Sequence, residues 1–394
     1  MLARQTPSIA IVGAGIGGLA AAAALRKVGF DVTVYEQAEA FARVGAGIPQ
    51  SPNAIKVHRG LGIEDRLRQG AFAPASALDR EAATGKVTSD RPLGKAVEER
   101  YGAPYLVLHR GDLHAALAAS VPASCVIRGK TLMRVETRGP RVELRFADGA
   151  EIEADVVIGA DGVHSLVRAA VAGPAAPRFT GRLTYRAGFP ASLLRGVKIG
   201  ISRTRWWGKD RHIVVSYVTR ARDQVYFSTS LPEPGDRTAR ESWSGMGDRA
   251  EMRAAFRDFH SDVQGVLAAA PEVHKRGIYE RDPLATWSRG RVVLLGDACH
   301  PMTPDAACGA AMALEDAVVL ARCFGDADCE SPEAAFRIYE ATRKPRTSVV
   351  QAGSSAAPGM RNDTSPDWLY GYDAWRVPLR SLATAKYEAT NWEA

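Results

Sequence analysis

The stretch Ile9-Ala-Ile-Val-Gly13-Ala-Gly15-Ile-Gly-Gly18-Leu-Ala20 decides the fold. A short apolar run followed by a glycine turn and then an alanine-rich segment predicts a buried strand, a tight turn and a helix from about 16 to 28. Gly29 stands where a left-handed helix cap is expected, and residues 31–35 read as a second strand, completing a βαβ unit. Each glycine has a task. Gly13 permits the tight turn, Gly15 lets a pyrophosphate approach the backbone, and Gly18 lets the helix pack on the strand. The helix N-terminus then presents free N–H groups to negative charge. Glu36 ends the second strand, 23 residues after Gly13. Its carboxylate suits a ribose diol and repels a 2′-phosphate, so the nucleotide is an unphosphorylated adenosine, as in FAD or NAD.

A chain of 394 residues with 46% hydrophobic content can bury more than one core. Its net charge of +7 is spread along the chain and interleaved with acids, without the stripe or reading motif that nucleic acid requires. No nucleic-acid partner is expected. The apolar run at 20–25 soon meets Arg26 and Lys27, and no leader precedes Ile9, so neither a membrane span nor a signal segment is expected. Cys125, Cys299, Cys308, Cys323 and Cys329 are odd in number and scattered. They lack zinc spacing, so no metal is expected, and they fit a reducing cytoplasm.

Beyond the first unit, residues 44–53 read as a Gly/Pro-rich loop and 54–61 as a short helix. Residues 105–117 read as a strand leading into a helix. Residues 132–158 alternate as strands do, with a turn at Ala147-Asp-Gly149 and a buried strand at Val156–Gly159. From 179 to 279 β-branched and aromatic residues dominate, with one helix expected over 249–269. A strand at 292–295 and a helix at 310–322 return to the first style. The expected fold is therefore α/β: a Rossmann-like nucleotide domain, discontinuous in sequence (1–70, 100–178, 285–350), and a β-rich substrate domain (71–99, 179–284). A C-terminal helical tail (351–394) follows. It holds a Gly/Ser/Pro-rich link at 353–366 and the aromatic cluster Trp368-Leu-Tyr-Gly-Tyr-Asp-Ala-Trp375, expected to pack as a lid.

Two later motifs separate FAD from NAD. Val156-Val-Ile-Gly-Ala-Asp161-Gly162 places an Asp-Gly turn after a buried strand, and Val292-Val-Leu-Leu-Gly296-Asp297-Ala-Cys-His-Pro301 places a Gly-Asp turn after another. With the first motif, and with Arg43-Val-Gly-Ala-Gly47, His109-Arg-Gly-Asp-Leu113 and Leu314-Glu-Asp-Ala317, they resemble the fingerprints of the class A flavoprotein monooxygenases. These aromatic-ring hydroxylases include the para-hydroxybenzoate and salicylate hydroxylases. The resemblance spans nearly the whole chain. Within the family, Trp206-Trp-Gly-Lys-Asp-Arg-His212, Gly296-Asp-Ala-Cys-His-Pro-Met302 and Tyr370-Gly-Tyr-Asp373 are similar to the 6-hydroxynicotinate 3-monooxygenases, which hydroxylate a carboxylated ring carbon and release CO₂.

The resemblance implies that FAD is bound, that NADH or NADPH visits as co-substrate, and that O₂ reaches the ring through a flavin C4a-hydroperoxide. It places Glu36 on the FAD ribose and Arg43 and Arg110 along the cofactor. Asp161 belongs to a turn touching FAD and nicotinamide nucleotide, and Asp297 holds the ribityl or pyrophosphate region. Gly309 and Ala310 present N–H groups to the flavin ring, where a helix N-terminus stabilises negative charge. His212 matches a substrate-contacting histidine. It is the candidate base toward a ring hydroxyl, because a reference pKa near 6.5 suits the task. Tyr217 is the next candidate, and Pro304 with the Gly309 loop is the expected wall that keeps water out. Arg203, Arg205 and Arg211 are candidates for neutralising a substrate carboxylate, although arginines at a strand edge are more often solvated.

Three departures fall near the pocket. Pro49 stands where the hydroxynicotinate enzymes have histidine, Ser216 where they have tyrosine, and Cys308, read as a packing residue, where glutamine is usual. The ring is therefore open between a small phenolic or hydroxypyridine acid, with or without decarboxylation, and a bulkier natural-product phenol or quinolone. A non-catalytic flavin-binding protein and a homodimeric assembly stay open as well.

Overall fold

The structure is a computed structural model that describes residues 7–42, 47–233, 245–304, 307–326, 331–355 and 365–380. Strand Ile9–Val12 is buried along its whole length and runs parallel between Val32–Tyr35 and Val156–Gly159. Such burial on both faces is why it reads as an unbroken apolar run. The full six-stranded sheet adds Val292–Leu294 and Ser288–Arg289 on one side and Val126–Ile127 on the other. Helix Ile16–Lys27 covers it and meets helix Gly309–Gly325 through small residues. A Cβ on Gly17 would lie 2.8 Å from Leu295 and 3.3 Å from Ala313, which explains a glycine inside a helix. Gly29 ends the first helix with φ 93°. The α/β class with a Rossmann-like nucleotide layer is observed.

The second layer is a seven-stranded sheet in the order His274–Glu280, Arg178–Pro190, Gln224–Pro232, His212–Tyr217, Arg203–Trp207, Ser76–Glu81, Val87–Pro92. One face carries Tyr185, Phe189, Trp206, Ile213, Val215 and Phe227, all buried under helices Arg249–Ala255 and Ser261–Ala269. Those two helices correct the expected single helix over 249–269. His260 accepts the Asp262 N–H at 3.2 Å and starts the second helix afresh, and Phe256 packs on Phe259 in the break.

Residues 132–154 form the antiparallel sheet that alternation predicts, turning at Gly149 with φ 83°. The expected loop at 44–53 is corrected too. Gly47–Gln50 is a strand, paired antiparallel with Leu106–His109, and helix Pro52–Leu61 follows directly. Propensity missed it because glycine and proline form half of that strand. Helix Pro332–Ser355 runs into the expected 353–366 link, despite an internal Pro345 that removes one backbone donor. Of the tail, Pro366–Tyr370 is helical. No described helix is long and apolar enough to cross a membrane.

Candidate functional site

The glycine turn behaves as its sequence requires. Gly13 has φ 100°, and its N–H donates to the Tyr35 carbonyl at 2.8 Å. A Cβ on Gly18 would lie 1.9 Å from the Gly13 oxygen, whereas a Cβ on Gly15 would meet nothing within 4 Å. The first glycine-only position is thus dictated by packing. The second is open space beside a helix N-terminus, the shape a pyrophosphate fills. Glu36 accepts from the N–H groups of Ala14 at 2.8 Å and Ala38 at 2.9 Å, which fixes its carboxylate at the mouth of the turn. Each oxygen keeps a second lone pair for a ribose hydroxyl. His114, which sequence reasoning missed, sits 2.7 Å from the Ala14 carbonyl and buttresses the turn.

The other motif residues converge on the same crevice. Asp297 is reached by solvent yet enclosed by protein on its other sides. Burial raises its pKa against the opposing pull of His300, Arg110 and Arg276. Arg110 is lowered by burial and by Arg186, with Asp297 opposing. A Cβ on Gly309 would lie 3.8 Å from an Asp297 oxygen, so helix Gly309–Gly325 begins at Asp297 with Ala310 in its first turn. Pro304 accepts the Ala307 N–H at 3.0 Å in the loop just ahead. Ala307 holds φ 55°, a left-handed conformation rare for alanine.

Asp161 belongs to the turn after strand Val156–Gly159. Its carboxylate accepts from Ser165 at 2.5 Å, Leu166 at 2.8 Å and Val167 at 3.1 Å, so the side chain holds its own turn together. Arg43 lies outside the described residues.

Strand pairing sorts the substrate-side candidates. His212 pairs with Trp207 and Ser230, Val214 with Arg205 and Ser228, and Ser216 with Tyr226. Carried across to Arg178–Pro190 and His274–Glu280, the registers put Arg186, Thr184 and Arg276 on this same face. Arg203 shares it by strand alternation. This polar, cationic face is the one turned toward Asp297, Arg110 and Cys308. Arg276 acts on Asp297, Arg186 on Arg110 and Arg203 on Cys308.

Arg203–Trp207 lies between two strands, so the strand-edge expectation for its arginines is corrected. Arg211 leaves the set: it pairs with Asp210 at 2.7 Å and donates to the Ala255 carbonyl. Tyr217, five residues from His212, lies on the opposite face of that strand, and its ring packs on Phe72.

His212 is buried, and its pKa lies well below the ordinary histidine value because of burial first and then Arg205, Arg182 and Arg203. The lowered pKa favours the neutral imidazole, the form that accepts a hydrogen bond or a proton.

Behind the start of helix Gly309–Gly325 lies a buried ionic lattice of which the sequence showed only Leu314-Glu-Asp-Ala317. Glu315 meets Arg343 at 2.7 Å, Arg346 at 2.8 Å and Asn53 at 2.7 Å. Asp316 meets Arg343 at 2.8 Å, His300 at 2.5 Å and the Gly296 N–H at 3.1 Å. It fixes the Gly-Asp turn, and through it Asp297, against the helix.

A family model described as FAD binding domain matches residues 6–353. The chain is 46% identical over 373 residues to the 6-hydroxynicotinate 3-monooxygenase of Bordetella bronchiseptica, covering 95% of this chain and 97% of that protein. It is 42% identical over 342 residues to the 3-amino-4-hydroxybenzoate 2-monooxygenase of Streptomyces cremeus, covering 87% and 84%. Klebsiella pneumoniae HpxO, solved with FAD and uric acid, superposes with a TM-score of 0.78 at 29% identity, covering 88% of this chain and 87% of that one. FAD is the cofactor, and an aromatic ring, O₂ and NAD(P)H are the reactants. With its motifs in one crevice and its likeness end to end, the chain belongs to the FAD-binding domain family, as an FAD-dependent monooxygenase of aromatic rings.

Proposed function

We propose that the ring is a small hydroxylated aromatic acid of the hydroxypyridine or aminohydroxybenzoate kind, held on the cationic face of the seven-stranded sheet opposite the N-terminus of helix Gly309–Gly325. The single observation that carries this reading is the concentration of Arg186, Arg203, Arg205 and Arg276 on one buried-side face around His212. Such a field favours a carboxylate and a ring oxyanion together. The two relatives act, by name, on rings of this kind.

Bound FAD supplies redox chemistry and activation of O₂. The chain supplies placement and electrostatics. The Gly13–Gly18 turn and Glu36 hold the nucleotide, Asp297 its middle, and the amides of Gly309 and Ala310 the ring edge where negative charge develops. Arg203 and Arg205 lower the pKa of a ring hydroxyl, and the neutral His212 accepts its hydrogen bond, enriching the ring in electrons without holding the proton for long. Pro304 and the Cys308–Gly309 loop exclude water from the reacting centre.

The test is a panel of hydroxypyridine and hydroxybenzoate acids, each with its amide or methyl ester, scored for NAD(P)H consumption and product mass. Acids should stimulate turnover and their neutral derivatives should not. CO₂ release reports attack at a carboxylated carbon. Equal stimulation by the neutral derivatives would defeat the reading.

A further inference from the structure

The aromatic cluster near the C-terminus does more than pack. Arg346, held by Glu315, donates to the carbonyls of Trp368 and Leu369, both at 2.9 Å, and lies over the rings of Trp368 and Tyr372. Lys56 donates to the carbonyls of Tyr370 and Gly371 at 3.0 and 3.1 Å. Trp375 fills the notch at Gly60, where a Cβ would lie 2.0 Å from its indole nitrogen. Asp367 accepts from Arg100 and Tyr101, both at 2.7 Å. The segment is pinned at four points.

That pinning presents one side chain inward. The Tyr370 ring lies 5.5 Å from Tyr101 and 6.2 Å from Tyr105 and packs on the cluster of Phe72, Tyr105, Val107 and Val218. Burial first raises the pKa of its hydroxyl, with Arg203 opposing, and the same holds for Tyr105. Tyr226 touches the same cluster and pairs across the sheet with Ser216. A phenol on this wall would limit the length of a ring site and offer a donor at its end.

We propose that Tyr370, brought in by the C-terminal segment, forms with Tyr105 and Arg203 the end wall of the ring pocket beside Cys308, and that it is a specificity-determining residue. The proposal rests on the ring-acid reading above. Arg346 acts through it as a positioning residue.

The experiment uses the full chain loaded with FAD. Binding of 6-hydroxynicotinate and 4-hydroxybenzoate is titrated without NAD(P)H by the change in flavin absorbance, and turnover is measured separately. In Tyr370→Ala, dissociation constants should rise at least tenfold. Relative kcat/KM should shift toward rings with an extra substituent, while FAD content stays at wild-type level. Tyr370→Phe, which keeps the wall but loses the donor, should fall between. Arg346→Lys should raise KM more than it lowers kcat. Met133→Ala, on an exposed strand position outside this segment, should leave the substrate ranking unchanged.

A folded, FAD-loaded Tyr370→Ala with wild-type affinities and ranking overturns the proposal, even if hydroxylation is confirmed. Rings that bind and respond to Tyr370 without being hydroxylated overturn the proposed function and leave this inference standing. A wild type that binds neither acid overturns both.

Discussion

Replacing His212 by glutamine separates a proton-accepting role from a hydrogen-bonding one. Sequence context makes His212 a base with an ordinary pKa, in which case its loss should cost roughly 10²–10⁴-fold in rate. The structure argues for a smaller number. Burial and then the charges of Arg205, Arg182 and Arg203 lower the imidazole pKa, which favours the neutral ring. A neutral acceptor contributes one hydrogen bond, worth about 0.5–1.5 kcal/mol, or roughly 2- to 13-fold. His212→Gln retains an acceptor and should lose no more than about that. His212→Leu adds the cost of an unpartnered substrate hydroxyl, about 1–3 kcal/mol. The assay is product formation by FAD-loaded protein with a responsive ring acid from pH 5.5 to 9, with coupling read from H₂O₂. No inflection near 6.5 should belong to His212. An inflection there that vanishes in His212→Gln, together with a loss above a hundredfold, would refute the electrostatic argument and restore the base.

Gly15→Ala should fold with near wild-type stability and lose FAD retention, because its Cβ has room in the protein but occupies the pyrophosphate's approach. Gly18→Ala should lose both, and equal behaviour of the two in thermal melts and flavin content would contradict this. Arg343→Met leaves Glu315 and Asp316 short of a buried partner and should cost about 3–5 kcal/mol in urea unfolding. Adding Glu315→Gln should recover part of the loss, and strict additivity would show that the pair is not coupled. His58 is fully buried beside Gln50, its pKa pushed down to about 3 by burial. The unfolded chain therefore binds its proton first, so stability is intact above about pH 6.5 and falls as pH drops toward 3. The slope is about 1.4 kcal/mol per pH unit for one proton. His58→Gln should flatten that slope by one proton in denaturation series between pH 4 and 6, and an unchanged slope would place the uptake elsewhere.

The sequence alone determined the nucleotide layer. A strand buried on both faces must be apolar throughout, and a turn that approaches both backbone and phosphate admits only glycine. Gly13, Gly15, Gly18 and Glu36 therefore announce their roles by residue type at fixed spacing. The two later turns, at Asp161 and Asp297, are legible for the same local reason, although whether the carboxylate faces a ligand or its own turn is not: Asp161 faces inward. What only the tertiary structure decided lies across strands. That Arg186 and Arg276 share a face with His212 depends on registers such as that of Thr184 with Arg276, far apart in the chain. Strand parity removes Tyr217 from that face and Asp210 removes Arg211. Burial and neighbouring guanidinium charges, invisible in a linear chain, lower the His212 pKa. Glu315 and Arg346, 31 residues apart in the chain, meet in the core and fix the segment that carries Tyr370. Local geometry is written in residue type, whereas the field and the walls of the pocket arise from packing between distant parts of the chain.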